Sequence, residues 1–250
     1  PGLGLTPISR PPPGFRTAAL TAGVSWTQIG EDHFVAMKLG TVLDFGAFRM
    51  GIWAPLNLRT VDGDPQNDGV VRREDWDERS EWFRILRFVE VGHPRKGPLY
   101  ARYGELVANT MGHGTIVDAY YNSIDLDHYQ GGLAFRLDLG PFGGEILADN
   151  LADPSLLGTR LFARPFRVAT GATGLLGRLT TGISIVSDLF APTRAILDDN
   201  KVQEISGNGT PQATREGTTI LGFDVELPLL DSDELVVMPY LDLNSHVGVG

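Results

Sequence analysis

Five residues in one short stretch carry the chemistry for metal binding or proton transfer: His113, Asp118, Asp125, Asp127 and His128. Imidazole and carboxylate groups do such work only where a defined spacing makes them converge, and no H-E-x-x-H or similar pattern joins these five. His128 reads better as a strand-edge or rim residue. A second acidic run, Asp62, Asp64 and Asp68, has the close oxygen spacing of a Ca2+ loop but lacks the closing Glu of an EF-hand. It supports loosely bound Ca2+ at most, and a solvated loop is the plainer reading. Nucleophilic catalysis would leave a G-x-S-x-G elbow, and the sequence has none. Glycine pairs at Gly112/Gly114 and Gly207/Gly209 precede no helical pattern, so neither reads as a phosphate cradle. No catalytic, cofactor-binding or metal residue is assigned, and a non-enzymatic protein is expected.

The elements around these residues alternate with period two. Between Tyr129 and Gly140, Leu133, Phe135, Leu137 and Leu139 share one parity, while Ala134, Arg136 and Asp138 hold the other. That is a strand with one apolar and one polar face. Gly140-Pro141 breaks the run, after which Phe142, Ile146 and Ala148 oppose Glu145 and Asp149, completing a hairpin. A third strand sets Leu157, Leu161 and Ala163 against Arg160, Phe162 and Arg164.

The same pattern runs through the rest of the chain. Residues 1–14, with Pro7, Pro11, Pro12 and Pro13, read as an extended entry arm. Residues 15–250 read as one domain. Ala18, Leu20, Ala22, Val24 and Trp26 mark the first strand. Two long strands follow, with Lys38, Gly40 and Asp44, then Arg49, Gly51, Asn57 and Arg59, on their polar parities. Residues 82–91 and 99–104 give two more. Residues 107–127 lack a long alternation and predict a structured loop or an inward fold. Further on, Leu175, Leu179, Ile183 and Ile185 oppose Arg178, Thr180, Ser184 and Asp188. Leu221, Phe223, Val225, Leu227 and Leu229 then oppose Asp224 and Glu226, and Leu235, Val237, Leu241 and Leu243 oppose Tyr240, Asp242 and Asn244. The expected total is ten to twelve strands, with tight turns alternating with long polar loops.

Composition narrows the class. No run of about 18 apolar residues exists, which removes a transmembrane helix but not a barrel, whose strands of about ten residues alternate. With 31 acidic against 21 basic residues, the net charge of −10 argues against nucleic acid as a partner. The chain has no Cys, which excludes disulfides and thiolate chemistry. Its opening lacks a charged and apolar leader, so a signal peptide is expected to be absent or already removed.

With the 129–150 hairpin and the segments LFARPF (161–166), LTTGISIVSDLF (179–190) and GFDVELPLL (222–230) in view, the chain resembles the porin-like outer-membrane β-barrels of Gram-negative bacteria. The resemblance is one of pattern and covers roughly residues 15–250. It implies an all-β, antiparallel transmembrane barrel of roughly 10–14 strands, with short turns on one rim and long loops on the other. It also implies an outer-membrane address, lipid and lipopolysaccharide as partners, contact with other envelope proteins, and a porin-like channel or a membrane anchor and scaffold as the role. Such barrels finish on an aromatic residue, whereas this sequence ends SHVGVG, so the last strand is the one it leaves open.

In that barrel the polar parity lines the lumen, which would place Lys38, Arg49, Arg136, Asp138, Glu145, Arg160, Arg164, Arg178, Asp224 and Glu226 on the inner wall. Opposed charges there either plug a narrow barrel or line a wider pore. The aromatic residues Trp26, Trp53, Trp82, Tyr103, Tyr120, Tyr121, Phe166, Phe190 and Tyr240 fall largely near strand ends, as an interfacial girdle would. The alternative is a soluble β-sandwich that binds carbohydrate or Ca2+ through the acidic loops.

Overall fold

A computed structural model describes residues 17–29, 32–63, 69–72, 85–94, 96–123, 130–197, 203–205, 212–231 and 235–248. The Pro-rich arm lies outside these residues, as do Asp64, Asp68, Trp82, Asp125, Asp127 and His128. The fold is all-β and antiparallel, with two short helices. No helix among the described residues is long and apolar enough to cross a membrane. By contact density the chain divides into two compact units, residues 1–92 and 93–250.

In the first unit four strands form an antiparallel meander: β1 (Thr17–Ile29), β2 (Asp32–Asp44), β3 (Phe48–Val61) and β4 (Leu86–His93). The tight turn between β2 and β3 is set locally. Asp44 Oδ1 accepts the Gly46 N–H at 2.7 Å, and Gly46 takes a φ of +88°, which glycine adopts without steric cost. Charged residues are buried here together with Phe34, Ala36 and Phe88. Arg87 and Glu90 are buried, Arg49 Nη1 donates to Glu90 Oε1 at 3.2 Å, and Arg59 stands 3.1 Å from Asp32. Leu20, Val24 and Trp26 on β1 are exposed.

Seven strands of the second unit follow one another in a single antiparallel series. They are β5 (Lys96–Gly104), β8 (Gly132–Asp138), β9 (Phe142–Ala148), β10 (Leu156–Ala163), β11 (Thr180–Ala195), β12 (Ala213–Glu226) and β15 (Tyr240–Gly248). Two small hairpins stand apart from the series, β6 (Asn109–Met111) with β7 (Val117–Tyr120) and β13 (Leu230–Asp231) with β14 (Val236–Val237). Among the described residues no pairing closes either unit's series into a ring.

Register makes each face of the second series continuous. Leu99, Leu137, Gly144, Leu161, Ile183, Phe223 and Leu243 are successive partners across the strands. Of these, Leu99, Leu161, Ile183, Phe223 and Leu243 are exposed, Leu243 by 62%. One residue along, the row reads Tyr100, Arg136, Glu145, Arg160, Ser184, Gly222 and Asn244. Here Tyr100, Arg160 and Ser184 are buried, Arg160 to 4% exposure. Across these two rows the usual polarity is inverted, with charge inside and Leu, Ile and Phe outside.

The β6–β7 hairpin covers this polar face. Its Met111 and Val117 join Tyr100, Leu106, Ala134, Leu147 and Val186 in the apolar core of the unit, with Ile116 and Tyr120 packed alongside. Glycines on the facing strands make the close approach possible. A Cβ on Gly158 would stand 3.1 Å from Met111 Sδ, and one on Gly222 would stand 2.8 Å from Ile116 Cδ1. The structured loop or inward fold predicted for residues 107–127 is this hairpin over its described part.

One predicted strand begins later than its alternation suggests. Leu175 and Arg178 sit in a helical turn, α2 (Leu175–Arg178), after α1 (Pro165–Thr170), and β11 starts at Thr180. Pro165 opens α1 without losing a hydrogen bond, and Gly171 closes it with φ +68°. Arg178 is thus an exposed connector residue, its Nη1 donating to the Leu229 carbonyl at 3.5 Å, and not a strand residue of the polar face.

Candidate functional site beneath the inward hairpin

Two linked clusters occupy the polar face of the second unit. In the first, Arg160 of β10 forms a fork on Asp224 of β12, with Nη2 donating to Oδ1 at 2.6 Å and Nε to Oδ2 at 3.0 Å. Its Nη1 reaches Glu145 of β9 at 3.3 Å. Glu145 in turn accepts the Gly112 N–H of the hairpin at 2.8 Å. Arg136 stands 3.8 Å from Glu145 and 3.4 Å from Asp138. At the rim, Arg164 Nη1 and Nη2 donate to the two Asp138 oxygens at 2.8 and 2.9 Å, and Nη1 also bonds the Gly140 carbonyl. Planar guanidinium forks of this kind hold carboxylates at fixed geometry as well as neutralising them.

The second cluster centres on His113, at the tip of the hairpin. Its Nε2 lies 2.6 Å from Glu226 Oε2 at the end of β12, and its Nδ1 lies 3.0 Å from Asp242 Oδ1 on β15. Thr115 Oγ1 donates to the other Asp242 oxygen at 2.7 Å. The imidazole stacks on Tyr240, with centroids 4.3 Å apart and planes 8° from parallel, and its side chain is only 3% exposed. The hydrogen bond to Glu226 pulls the His113 pKa above its ordinary value against the opposing cost of burial, and Asp242 adds to the rise. The hairpin tip is thus clamped between two strands by one ring.

At its base the same loop is tied by Asn122, which is buried. Its Oδ1 accepts the Leu106 N–H at 2.7 Å, and its Nδ2 donates to the carbonyls of Gly104, Gln130 and Asp149 at 3.1, 2.9 and 2.9 Å. Asp149, also buried, caps the next turn by accepting the N–H groups of Asn150, Ser155 and Leu156.

Among the described residues, His113, Asp224 and Asp242 form a group whose donor atoms lie within 4.8 Å of one another, a possible His/Asp/Asp metal site. The sequence singles out His113 as one of five candidates but pairs it with the wrong neighbours. Asp118 is exposed and accepts the Thr110 hydroxyl at 2.8 Å. The true partners of His113 stand 113 and 129 residues away, so no local spacing could reveal them. The visible signal is only that Glu226 and Asp242 share the polar parity of their strands.

The other predicted wall residues are dispersed. Arg49 belongs to the first unit, beside Glu90 and Asp44, and the Lys38 side chain lies outside what the structure describes. Of the Ca2+-loop residues only Asp62 is described, exposed and 3.9 Å from Arg59. Of the aromatic residues singled out in the sequence, Tyr120 packs against the core beside the hairpin, and Tyr240, 52% exposed, stacks on His113. Set against protein-family models, curated proteins and solved structures, the chain matches none.

Proposed function

We propose that this chain is a non-enzymatic β-barrel protein of the bacterial outer membrane, with its interior sealed by the inward hairpin. In this reading it serves as a membrane anchor or scaffold, and conducts solutes only when the hairpin is displaced. The observation that carries the proposal is the inverted polarity of the strands. A row of exposed Leu, Ile and Phe runs across the second unit while Arg160, Asp224 and Ser184 are buried behind it. Leaving a fully exposed apolar side chain in water forgoes roughly 1.5–3 kcal/mol and a half-exposed one about half as much, so a row of them calls for an apolar surrounding. Hydrocarbon supplies it on one side while a polar, filled interior satisfies the charges on the other. Lipid and lipopolysaccharide are then the immediate partners, and the loops face other envelope proteins.

Two measurements test this reading. Extraction only with detergent, together with a gel band that shifts on heating, is the expected behaviour. A monomer soluble in plain buffer rejects it in favour of a β-sandwich. In planar bilayers the wild-type protein should be nearly silent, and steady large conductance would move the role from anchor to open channel.

A further inference from the structure

We propose that the pocket enclosed by the tip of the hairpin, β12 and β15 is a binding site for a first-row divalent cation of the Zn2+ type, with His113, Asp224 and Asp242 as its protein ligands. The site goes beyond the membrane reading and does not depend on it, because every donor lies within the second unit.

Three features argue for a metal. The donor atoms already stand within 4.8 Å of one another, and the His113 Nδ1 to Asp242 Oδ1 separation is 3.0 Å. A tetrahedral ion with bonds of about 2.0–2.2 Å needs its ligands about 3.3 Å apart, so small shifts suffice. The orienting groups are also in place. Ligating imidazoles donate their other ring N–H to a carboxylate, which is the position of Glu226 at 2.6 Å from Nε2. Thr115 holds the second oxygen of Asp242, and Arg160 holds Asp224 while leaving a lone pair on each of its oxygens. Charge is the third feature. Among the described residues, the carboxylates of Glu145, Asp224, Glu226 and Asp242 converge here, with Arg160 beside Glu145 and Asp224 and Arg136 3.8 Å from Glu145. Four carboxylates against two guanidinium groups leave a charge that one divalent cation, held by a neutral His113 ring and the two aspartates, cancels.

Imidazole nitrogen and carboxylate oxygen are both ligand types that zinc accepts, three protein ligands leave a fourth position for water, and with no Cys in the chain thiolate-dependent metals are disfavoured. Since the ligands come from the hairpin and from two wall strands, the ion would fasten the seal to the wall.

The test uses the full chain in detergent micelles, stripped with chelator and titrated with Zn2+ alone by calorimetry. One ion per chain is expected, with affinity at least 100-fold lower in His113→Gln and in Asp242→Asn. In Glu226→Gln, which keeps the ligands and alters only the orienting group, a loss of about 10–100-fold is expected. Asp118→Asn, on the same hairpin but outside the site, should bind as wild type does. X-ray absorption on wild-type protein loaded with Zn2+ provides a readout independent of any variant, and a shell of one imidazole nitrogen with oxygens is expected. No saturable binding by wild type, undiminished binding by His113→Gln, or an all-oxygen shell would each overturn the proposal. Since binding is read in micelles and extraction behaviour is read separately, failure of the metal site leaves the membrane reading standing, and the reverse also holds.

Discussion

Arg160 shows what a single buried charge does in this protein. It is 4% exposed, and its guanidinium holds Asp224 by two hydrogen bonds and Glu145 by a third. Removing one partner of a buried pair strands the other without solvent, a loss of roughly 3–5 kcal/mol. Arg160→Met should therefore lower unfolding stability by about that amount in a denaturant titration, and adding Asp224→Leu should recover much of it. Tyr120 offers a second handle, on the hairpin itself. Burial raises its phenol pKa from 10.0 to about 12, and the charges of Asp149 and Asp188 add to the rise. A group whose folded pKa is raised contributes fully below its unfolded pKa and loses that contribution as pH climbs through the folded one. Hairpin packing should thus weaken between about pH 10 and 12, followed by tyrosinate absorbance alongside near-ultraviolet circular dichroism. Tyr120→Phe should remove that step. From the sequence, parity alone placed Arg160 and Asp224 on polar faces. It could not pair them, because 64 residues separate them and pairing depends on the order and register of β10, β11 and β12.

For the elements, alternation was legible wherever a strand had one apolar and one polar face, which is why the 129–150 hairpin and most neighbouring strands stand where the pattern puts them. It failed at 175–179 and where the run 235–244 divides into β14 and β15, and it was silent along 107–123, where other forces decide. Between Leu175 and Leu179 apolar residues happen to fall at strand spacing, but the short connector after Pro165 is closed by helical turns. Along 107–123 no alternation forms because the backbone is bent by Ala108, Gly112, Gly114 and Ala119, all at positive φ. Bends of that kind are held from outside the element, and Asn122 does the holding. Its amide spans four backbone groups from three segments, so Asn122→Ala leaves one N–H and three carbonyls short of a partner. Hydrogen exchange should then rise across 105–121 with the protection of β8 to β11 retained. Uniform loss of protection through the sheet would contradict the role given to Asn122.

For the molecule as a whole, the informative quantity is where its apolar area lies. Phe223 sits mid-row between Ile183 and Leu243 and is 45% exposed. If hydrocarbon meets that row, Phe223→Arg should cost about 2–4 kcal/mol when the protein is refolded into lipid vesicles, the penalty for a cation at bilayer depth. In a water-soluble body the same exposed position would accept arginine almost neutrally, so equilibrium unfolding of this one variant separates the two environments.

The distance along the chain between His113 and its two carboxylates carries a consequence for assembly. The tip is synthesised before β8 to β15, yet Glu226 and Asp242 come 113 and 129 residues later. Contacts of such high sequence separation form only after the intervening loop-closure entropy has been overcome. Docking of the hairpin tip is consequently a late event, completed once β12 and β15 are in place. A truncated chain that lacks β15 would pair its other strands yet leave the His113 ring without its Asp242 partner.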